Sequence, residues 1–217
     1  MNSFVHLHNH SEYSLLDGMS NLNKMVAKVK DNKQPAIAIT DHGNMYGAVE
    51  FYKIAKKNEV NPIIGLEAYM AKEDSYKKTN AEKSPYHLTL LAQNIKGYQN
   101  LMKLVTHSNL NGFYYKPRID KKILEENSEG IIALSGCPSS ELSRAIISGD
   151  EKKVKETHGW FKEVFNENFY LEIMEHKGVP NQEIINKELL NINSKNNLPI
   201  VITNDNHYVN NNDHLAH

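Results

Sequence analysis

Seven short apolar runs, at residues 4–8, 36–40, 62–69, 87–92, 131–135, 169–173 and 200–203, alternate in this chain with stretches of helical periodicity. The helical faces are carried by Leu22, Met25, Val26 and Val29, then by Ala48, Phe51, Tyr52 and Ala55. They continue with Tyr98, Leu101, Met102, Leu104 and Val105, with Trp160, Phe161, Val164 and Phe165, and with Ile184, Ile185, Leu189 and Ile192. Side chains three and four residues apart share one face of a helix, whereas a short continuous run reads as a buried strand. Strands alternating with helices build a parallel sheet covered by helices. Seven such units predict an α/β fold, a distorted seven-stranded (β/α) barrel of TIM-barrel-like form. An open doubly wound sheet is the alternative, because pattern alone does not give strand order. Residues 73–84, polar and lysine-rich, are expected to form a mobile surface loop, and residues 109–120 a second long loop.

The bulk properties narrow the class. A length of 217 residues suits one larger α/β domain, taken here as residues 1–217. No apolar run reaches membrane-span length, and no secretory signal opens the chain, so a cytoplasmic protein is expected. A single cysteine, Cys137, excludes an internal disulfide framework and leaves its sulfur available to a metal. Lys+Arg 25 against Asp+Glu 26 gives a formal charge of -1, which excludes a generic basic nucleic-acid binder. Eleven histidines are present, and their placement carries the argument.

In both architectures the reactive groups gather at the C-terminal ends of the strands. The first run ends His8-Asn9-His10, and residues two apart in extended chain project to one side. Asp17 follows in the same connection, and the second run ends Asp41-His42-Gly43. Glu67 lies in the third run, Cys137 follows the fifth, and the last ends Asp205-Asn206-His207. His87 is the exception, because it begins its strand. Imidazole, carboxylate and thiolate are the side chains that bind transition metals. One four-coordinate ion needs about four ligands. The nine residues His8, His10, Asp17, His42, Glu67, His87, Cys137, Asp205 and His207 therefore predict two or three divalent ions. His6, His107, His158, His176, His214 and His217 are read as ordinary structural or surface residues.

With these residues assembled, the chain resembles the PHP (polymerase and histidinol phosphatase) superfamily. More narrowly, it is similar to the N-terminal region of bacterial DNA polymerase III alpha subunits. The phrases that carry the resemblance are Phe4-Val5-His6-Leu7-His8 through Ser14-Leu15-Leu16-Asp17-Gly18, and Ala38-Ile39-Thr40-Asp41-His42-Gly43-Asn44. Further matches are His87-Leu88-Thr89-Leu90-Leu91-Ala92, Leu134-Ser135-Gly136-Cys137 and Thr203-Asn204-Asp205. Gly97-Tyr98-Gln99-Asn100-Leu101 has no metal role, so it separates the polymerase branch from stand-alone phosphatases.

The resemblance implies a distorted barrel with a trinuclear zinc, manganese or iron site. It also implies 3′-5′ exonuclease proofreading or phosphate-ester hydrolysis, within a DNA-directed DNA polymerase. The implied partners are a DNA 3′ end, the remainder of the alpha subunit and a separate proofreading exonuclease. Family members continue past His217 into palm, thumb and fingers, so this stretch is expected to be an N-terminal fragment that does not polymerise DNA by itself. Asp41 is a candidate for orienting an imidazole or capping the next helix. Lys116 and Arg118 are candidates for clamping a substrate phosphate, and Tyr114 and Tyr115 for stacking on bases. The competing expectations are a histidinol-phosphate-type phosphatase and a metal-stabilised docking module without catalysis.

Overall fold

The computed structural model of the chain describes residues 4–176 and 178–215. Helices form where the apolar spacing placed them: α1 (Leu22–Asp31), α2 (Ala48–Lys57), α3 (Ile95–Leu110), α6 (Glu151–Phe165) and α7 (Gln182–Asn196). Two more, α4 (Lys121–Glu126) and α5 (Glu141–Ser148), lie where no periodicity had been singled out. Most begin on a capping side chain. Asn94, Asp120, Ser140 and Asp150 accept from the backbone N–H of Gly97, Ile123, Ser143 and Lys153. Each such cap contributes about 1 kcal/mol. Tyr52, Met102 and Ile184, counted among the apolar faces, are exposed.

The strands are β1 (Ala36–Ile39), β2 (Asn61–Met70), β3 (Tyr86–Ala92), β4 (Phe113–Tyr114), β5 (Lys116–Ile119), β6 (Ile131–Leu134), β7 (Phe169–Met174) and β8 (Ile200–Thr203). Neighbours run β1-β2-β3-β6-β7-β8, with β5 also on β2 and β4 on β5. The N-terminal segment closes the curl. His6 bridges Ile37 and Asn9 bridges Asn206, both parallel. His10 N donates to Asn206 O at 2.7 Å, and Ala38 N to His6 O at 2.9 Å. The result is a distorted barrel whose first member is tied by isolated bridges instead of a regular ladder.

Three expectations need correction. β3 runs antiparallel to both β2 and β6, so the sheet is mixed. Residues 109–120 are not one loop but contain the β4–β5 hairpin. Residues 73–84 are anchored, with Ser75 and Glu82 fully buried. The anchor is Arg118, whose Nη1 donates to Glu82 Oε2 at 3.0 Å and whose Nη2 donates to Ser75 O at 2.7 Å.

Alternation along the strands divides core from site. Leu66, Ala68, Met70, Leu88, Leu90, Ile131, Ala133, Phe169 and Leu171 face the helices and form the main core with Leu101, Leu104, Phe161 and Leu189. Burying each large side chain of this set contributes about 1.5–3 kcal/mol. A second cluster joins β1 to α1 and α2 through Ile37, Ile39, Leu22, Val26 and Phe51. A third, smaller cluster holds Ala38, Leu91 and Leu134, with Leu7, Ile63, Ile132, Tyr170 and Val201 packed on it. Continuing each of these strands by two-residue steps turns the lining polar, at Glu67, Thr89, Glu172 and Thr203. No helix among the described residues is long and apolar enough to cross a membrane.

Candidate metal centre

Strand parity delivers the polar side chains to one end of the barrel interior, where Glu67 is the hub. Its Oε1 lies 3.3 Å from His8 Nε2, 3.1 Å from His87 Nδ1 and 3.6 Å from Cys137 Sγ. Its Oε2 lies 3.8 Å from His10 Nε2 and in close contact with His42 Nδ1. The two oxygens of one carboxylate thus face two different groups of candidate ligands. Asp205 Oδ1 closes the far side, 3.0 Å from His10 Nε2 and 3.3 Å from His8 Nε2.

Three overlapping triads have their donor atoms within 4.8 Å of one another. They are His10, His42 and His207; His8, His10 and Glu67; and His42, Glu67 and His87. Asp205 and Cys137 border these triads. Asp17 reaches in from the rim, its Oδ2 3.1 Å from His42 Nε2. All nine ligand candidates therefore converge. His87 does so because β3 is antiparallel, which sets its first residues beside the last residues of β2. Its register partner is Tyr69, two residues past Glu67.

The surroundings fix which imidazole nitrogen faces the cluster. His8 Nδ1 donates to Glu172 Oε1 at 2.8 Å, which turns Nε2 toward Glu67 and Asp205. Ser14 Oγ donates its only proton to Asp41 Oδ1 at 2.8 Å, so His10 Nδ1, 2.9 Å away, must donate to Ser14. That leaves Nε2 as the electron-pair donor. His207 Nδ1 lies 2.9 Å from Asp205 O, and its ring stacks on that of His10 with centroids 4.3 Å apart. A carboxylate or backbone carbonyl behind the imidazole, as at His8 and His207, is the usual support of a metal-ligating histidine.

Six of the ten buried side-chain polar atoms without a hydrogen-bond partner among the described residues belong to this cluster. They are His8 Nε2, His10 Nε2, His42 Nδ1, Asp17 Oδ1, Glu67 Oε2 and Asp205 Oδ1. Several of these atoms meet only one another, as His10 Nε2 and Asp205 Oδ1 do at 3.0 Å, and a buried cluster of this kind is one that cations would stabilise. Imidazole, carboxylate and thiol in this proportion suit divalent transition metals.

The protonation pattern follows from the same geometry. Burial pushes the Glu67 carboxyl up, but His87, His42 and His8 overcome it and hold it well below the usual range. Asp205 is likewise held down by His8 and His10 against its burial. Burial lowers His8, yet Asp205, Glu172 and Glu67 more than offset that and raise it well above its ordinary value. His10 is lowered, chiefly by burial. Burial, with Glu67 and Asp205 nearby, pushes the Cys137 thiol up.

The expected phosphate clamp at Arg118 is corrected, and the orienting role of Asp41 proves indirect. Arg118 is fully buried, and its Nε, Nη1 and Nη2 are committed to Gly112 O, Glu82 and the carbonyls of Ser75 and Lys77. No part of it faces a substrate. Asp41 is also buried and touches no imidazole directly. It accepts from Ser11 N, Ser11 Oγ and Ser14 Oγ, so it positions His10 through Ser14. Lys116 stays at the rim, its Nζ 5.3 Å from the centroid of the Tyr69 ring, which stacks in turn on His42.

The sequence reading missed Glu172. Its Oε1 accepts from His8 Nδ1 and Thr203 Oγ1, and its Oε2 from Gly136 N. A lone carboxylate inside the apolar run Phe169-Tyr170-Leu171-Glu172-Ile173-Met174, on the inward parity, was the available signal. His6, His107 and His176 lie outside the cluster, bonded to Asn206, Ser75 and Asn204 O. His217 falls outside the described residues.

Comparison with known proteins places this geometry. Residues 6–176 match the family described as the PHP domain. The chain is 46% identical over 215 residues to DNA polymerase III subunit alpha of Borreliella burgdorferi, covering 98% of this chain and 19% of that protein. The subunits of Deinococcus radiodurans and Thermus aquaticus are each 43% identical, over 99% of this chain and 17% and 18% of their own lengths. The chain thus spans less than a fifth of these relatives. Among solved structures, a metal-dependent phosphoesterase from Bifidobacterium adolescentis superposes with a TM-score of 0.62 at 11% identity, covering 95% of this chain and 88% of that one. A two-domain protein with a PHP-like phosphoesterase from Bacteroides vulgatus gives 0.58 at 18% identity, covering 94% and 52%. At these identities the likeness is one of fold.

Proposed function

This chain belongs to the PHP domain family, and on that premise we propose that it is a phosphoesterase using two or three zinc, manganese or iron ions. Its substrate is the 3′ end of DNA, which it trims as part of a replicative polymerase alpha subunit. The observation that carries this is the complete, converging ligand set. Nine candidate ligands from six separate chain segments gather about Glu67, and six of their buried polar atoms face only one another. A site that had lost its metals would have no cause to keep so many ligand atoms aimed at one volume, and turnover separates a catalytic centre from a metal-stabilised one.

Divalent ions held there supply Lewis acidity to a phosphate ester and make water a competent nucleophile near neutral pH. The chain's own residues do the rest. His8, His10, His42, His87, His207, Glu67, Asp17, Asp205 and Cys137 would hold the ions, Glu67 at their centre. Glu172 and the Ser14–Asp41 pair fix the His8 and His10 tautomers, so neither ring must turn as the site fills. Lys116 meets the phosphate at the rim. The extended similarity to alpha subunits, well beyond the ligand segments, favours DNA over a small amino-alcohol phosphate as substrate. The rest of the alpha subunit and a separate proofreading exonuclease are the partners this role supplies.

The test is degradation of a 3′-labelled oligonucleotide by the purified chain with added Mn²⁺ or Zn²⁺. Metal-dependent release of nucleotides that disappears in Asp205→Asn supports the proposal. Stoichiometric metal binding without release, under any of these ions, defeats the catalytic reading and leaves a docking module.

A further inference from the structure

Tyr69 lies two residues past Glu67 on β2, so strand parity turns it to the same side as that carboxylate. It stands directly opposite His87 across the antiparallel β2–β3 pair. Its ring stacks on His42 with centroids 5.9 Å apart and meets the His87 ring edge-on at 5.2 Å. His42, Glu67 and His87 form one of the three candidate metal triads. Tyr69 therefore touches two members of that triad and adjoins the third along the strand. Gly43 makes room for the ring. A Cβ there would lie 3.0 Å from Cδ2 and Cε2 of Tyr69, and the Gly43 backbone is left-handed, at φ +63. Lys116 Nζ stands 5.3 Å from the centroid of the same ring.

The hydroxyl of this ring is the unexplained group. Tyr69 is only 7% exposed, and a tyrosine buried to that degree ordinarily finds a partner for its O–H. Among the described residues none hydrogen-bonds it. Nor is the oxygen sealed in, as His8 Nε2, His10 Nε2 and Glu67 Oε2 are. The little of Tyr69 that solvent reaches thus includes its hydroxyl. Burial raises the phenol, and Glu67, Asp17 and Cys137 raise it further. Three of the nine candidate ligands therefore lie close enough to act on that oxygen, which sets it beside the cluster at its open side.

A phenol of ordinary pKa, about 10, already keeps its proton at neutral pH. Imidazoles and carboxylates committed to cations have no proton to offer a phosphoryl oxygen, whereas Tyr69 has one. We infer that Tyr69 is a substrate-contacting residue of this centre, its O–H donating a hydrogen bond to a non-bridging oxygen of the bound phosphate ester. The proton stays on the phenol, so Tyr69 binds and orients the phosphate and is not the acid that frees the leaving oxygen. Packing against His42, His87 and Gly43 fixes the ring beforehand, and a donor held in this way needs no rearrangement when the phosphate arrives. The role rests on the phosphoesterase reading for its ligand, but phosphate binding tests it without turnover.

Tyr69→Phe keeps the ring and its packing and removes only the hydroxyl. The probes are inorganic phosphate and two thymidine 5′-phosphodiesters, one with p-nitrophenol and one with methanol as leaving group. Each is used with the whole chain and Mn²⁺. Calorimetry reads phosphate affinity, and metal content is measured on both proteins. Phosphate should bind about tenfold more weakly to Tyr69→Phe, as loss of one hydrogen bond to a charged oxygen predicts, with metal content unchanged. Hydrolysis of the two diesters should slow by a common factor in kcat/KM, because the phenol keeps its proton. Equal phosphate affinity in the two proteins overturns the inference, as does absence of phosphate binding to the unsubstituted chain. Slowing confined to the methyl ester overturns it in favour of a general acid, and fewer ions per chain in favour of a metal ligand. No hydrolysis of either diester, with the loss of phosphate affinity intact, would defeat the phosphoesterase reading alone.

Discussion

Replacing Glu172 by Gln isolates the support behind the metal centre from the ligands themselves. The groups that donate to this carboxylate are His8 Nδ1 at 2.8 Å, Thr203 Oγ1 at 2.6 Å, Gly136 N at 3.0 Å and Thr89 Oγ1 at 3.3 Å. A glutamine of the same shape must turn its NH2 toward at least one of them, and it removes the charge that fixes the His8 tautomer. Loss of such a partner costs about 10–100-fold in metal affinity. At 1.36 kcal/mol per factor of ten, this is roughly 1.4–2.7 kcal/mol. The Thr203 and Thr89 hydroxyls beside it can turn to accept from the new NH2, which puts the expected effect toward the lower end. The assay is competition for Zn²⁺ against a chromogenic chelator, with metal content at saturation measured alongside. Affinity should fall while the number of ions at saturation stays the same. A change smaller than about twofold would refute the positioning role assigned to Glu172, on the same magnitude. A drop in stoichiometry would make it a ligand.

Other consequences concern stability and protons. Removing one partner of the buried Arg118–Glu82 pair, as Glu82→Ala, should destabilise the chain by about 3–5 kcal/mol in thermal or urea unfolding. A fall below about 1 kcal/mol, the scale of a surface pair, would contradict the anchoring of residues 73–84. Burial raises the Asp120 carboxyl, but the hydrogen bonds from Ser75 and Ile123 outweigh it and leave the group lowered. Its contribution is therefore present above the unfolded carboxylate value and lost as pH falls through the folded one. Asp120→Asn should flatten the acid limb of the stability curve, and an unchanged limb would count against this. Metal uptake should release protons, because His8 is raised and Cys137 must become a thiolate to ligate. Calorimetry in buffers of different ionisation heat measures this, and a buffer-independent heat would contradict it.

The strand and helix rhythm was legible because each buried face follows a simple period, and the residues that converge on Glu67 were legible because they follow strand ends. What the sequence concealed was direction. The run 87–92 looks the same read parallel or antiparallel, so His87 stood out as misplaced until the β3 register put it beside Tyr69. Arg118 was misread for a related reason. A basic residue in a loop next to Lys116 reads as exposed, and only the fold reveals that residues 75–82 close over its guanidinium. Glu172 was hidden because hydrophobic periodicity weighs apolar positions and passes over the single charged one. Its inward parity, shared with Tyr170, was nonetheless present in the sequence.

The central claim is that the ends of six chain segments form one multinuclear site. Anomalous diffraction from crystals of the chain soaked with Mn²⁺ or Zn²⁺ tests it most directly. The account predicts two or three peaks about 2.0–2.3 Å from their ligand atoms, with Glu67 shared between two of them. A single peak, or peaks only at surface histidines such as His214, would contradict it.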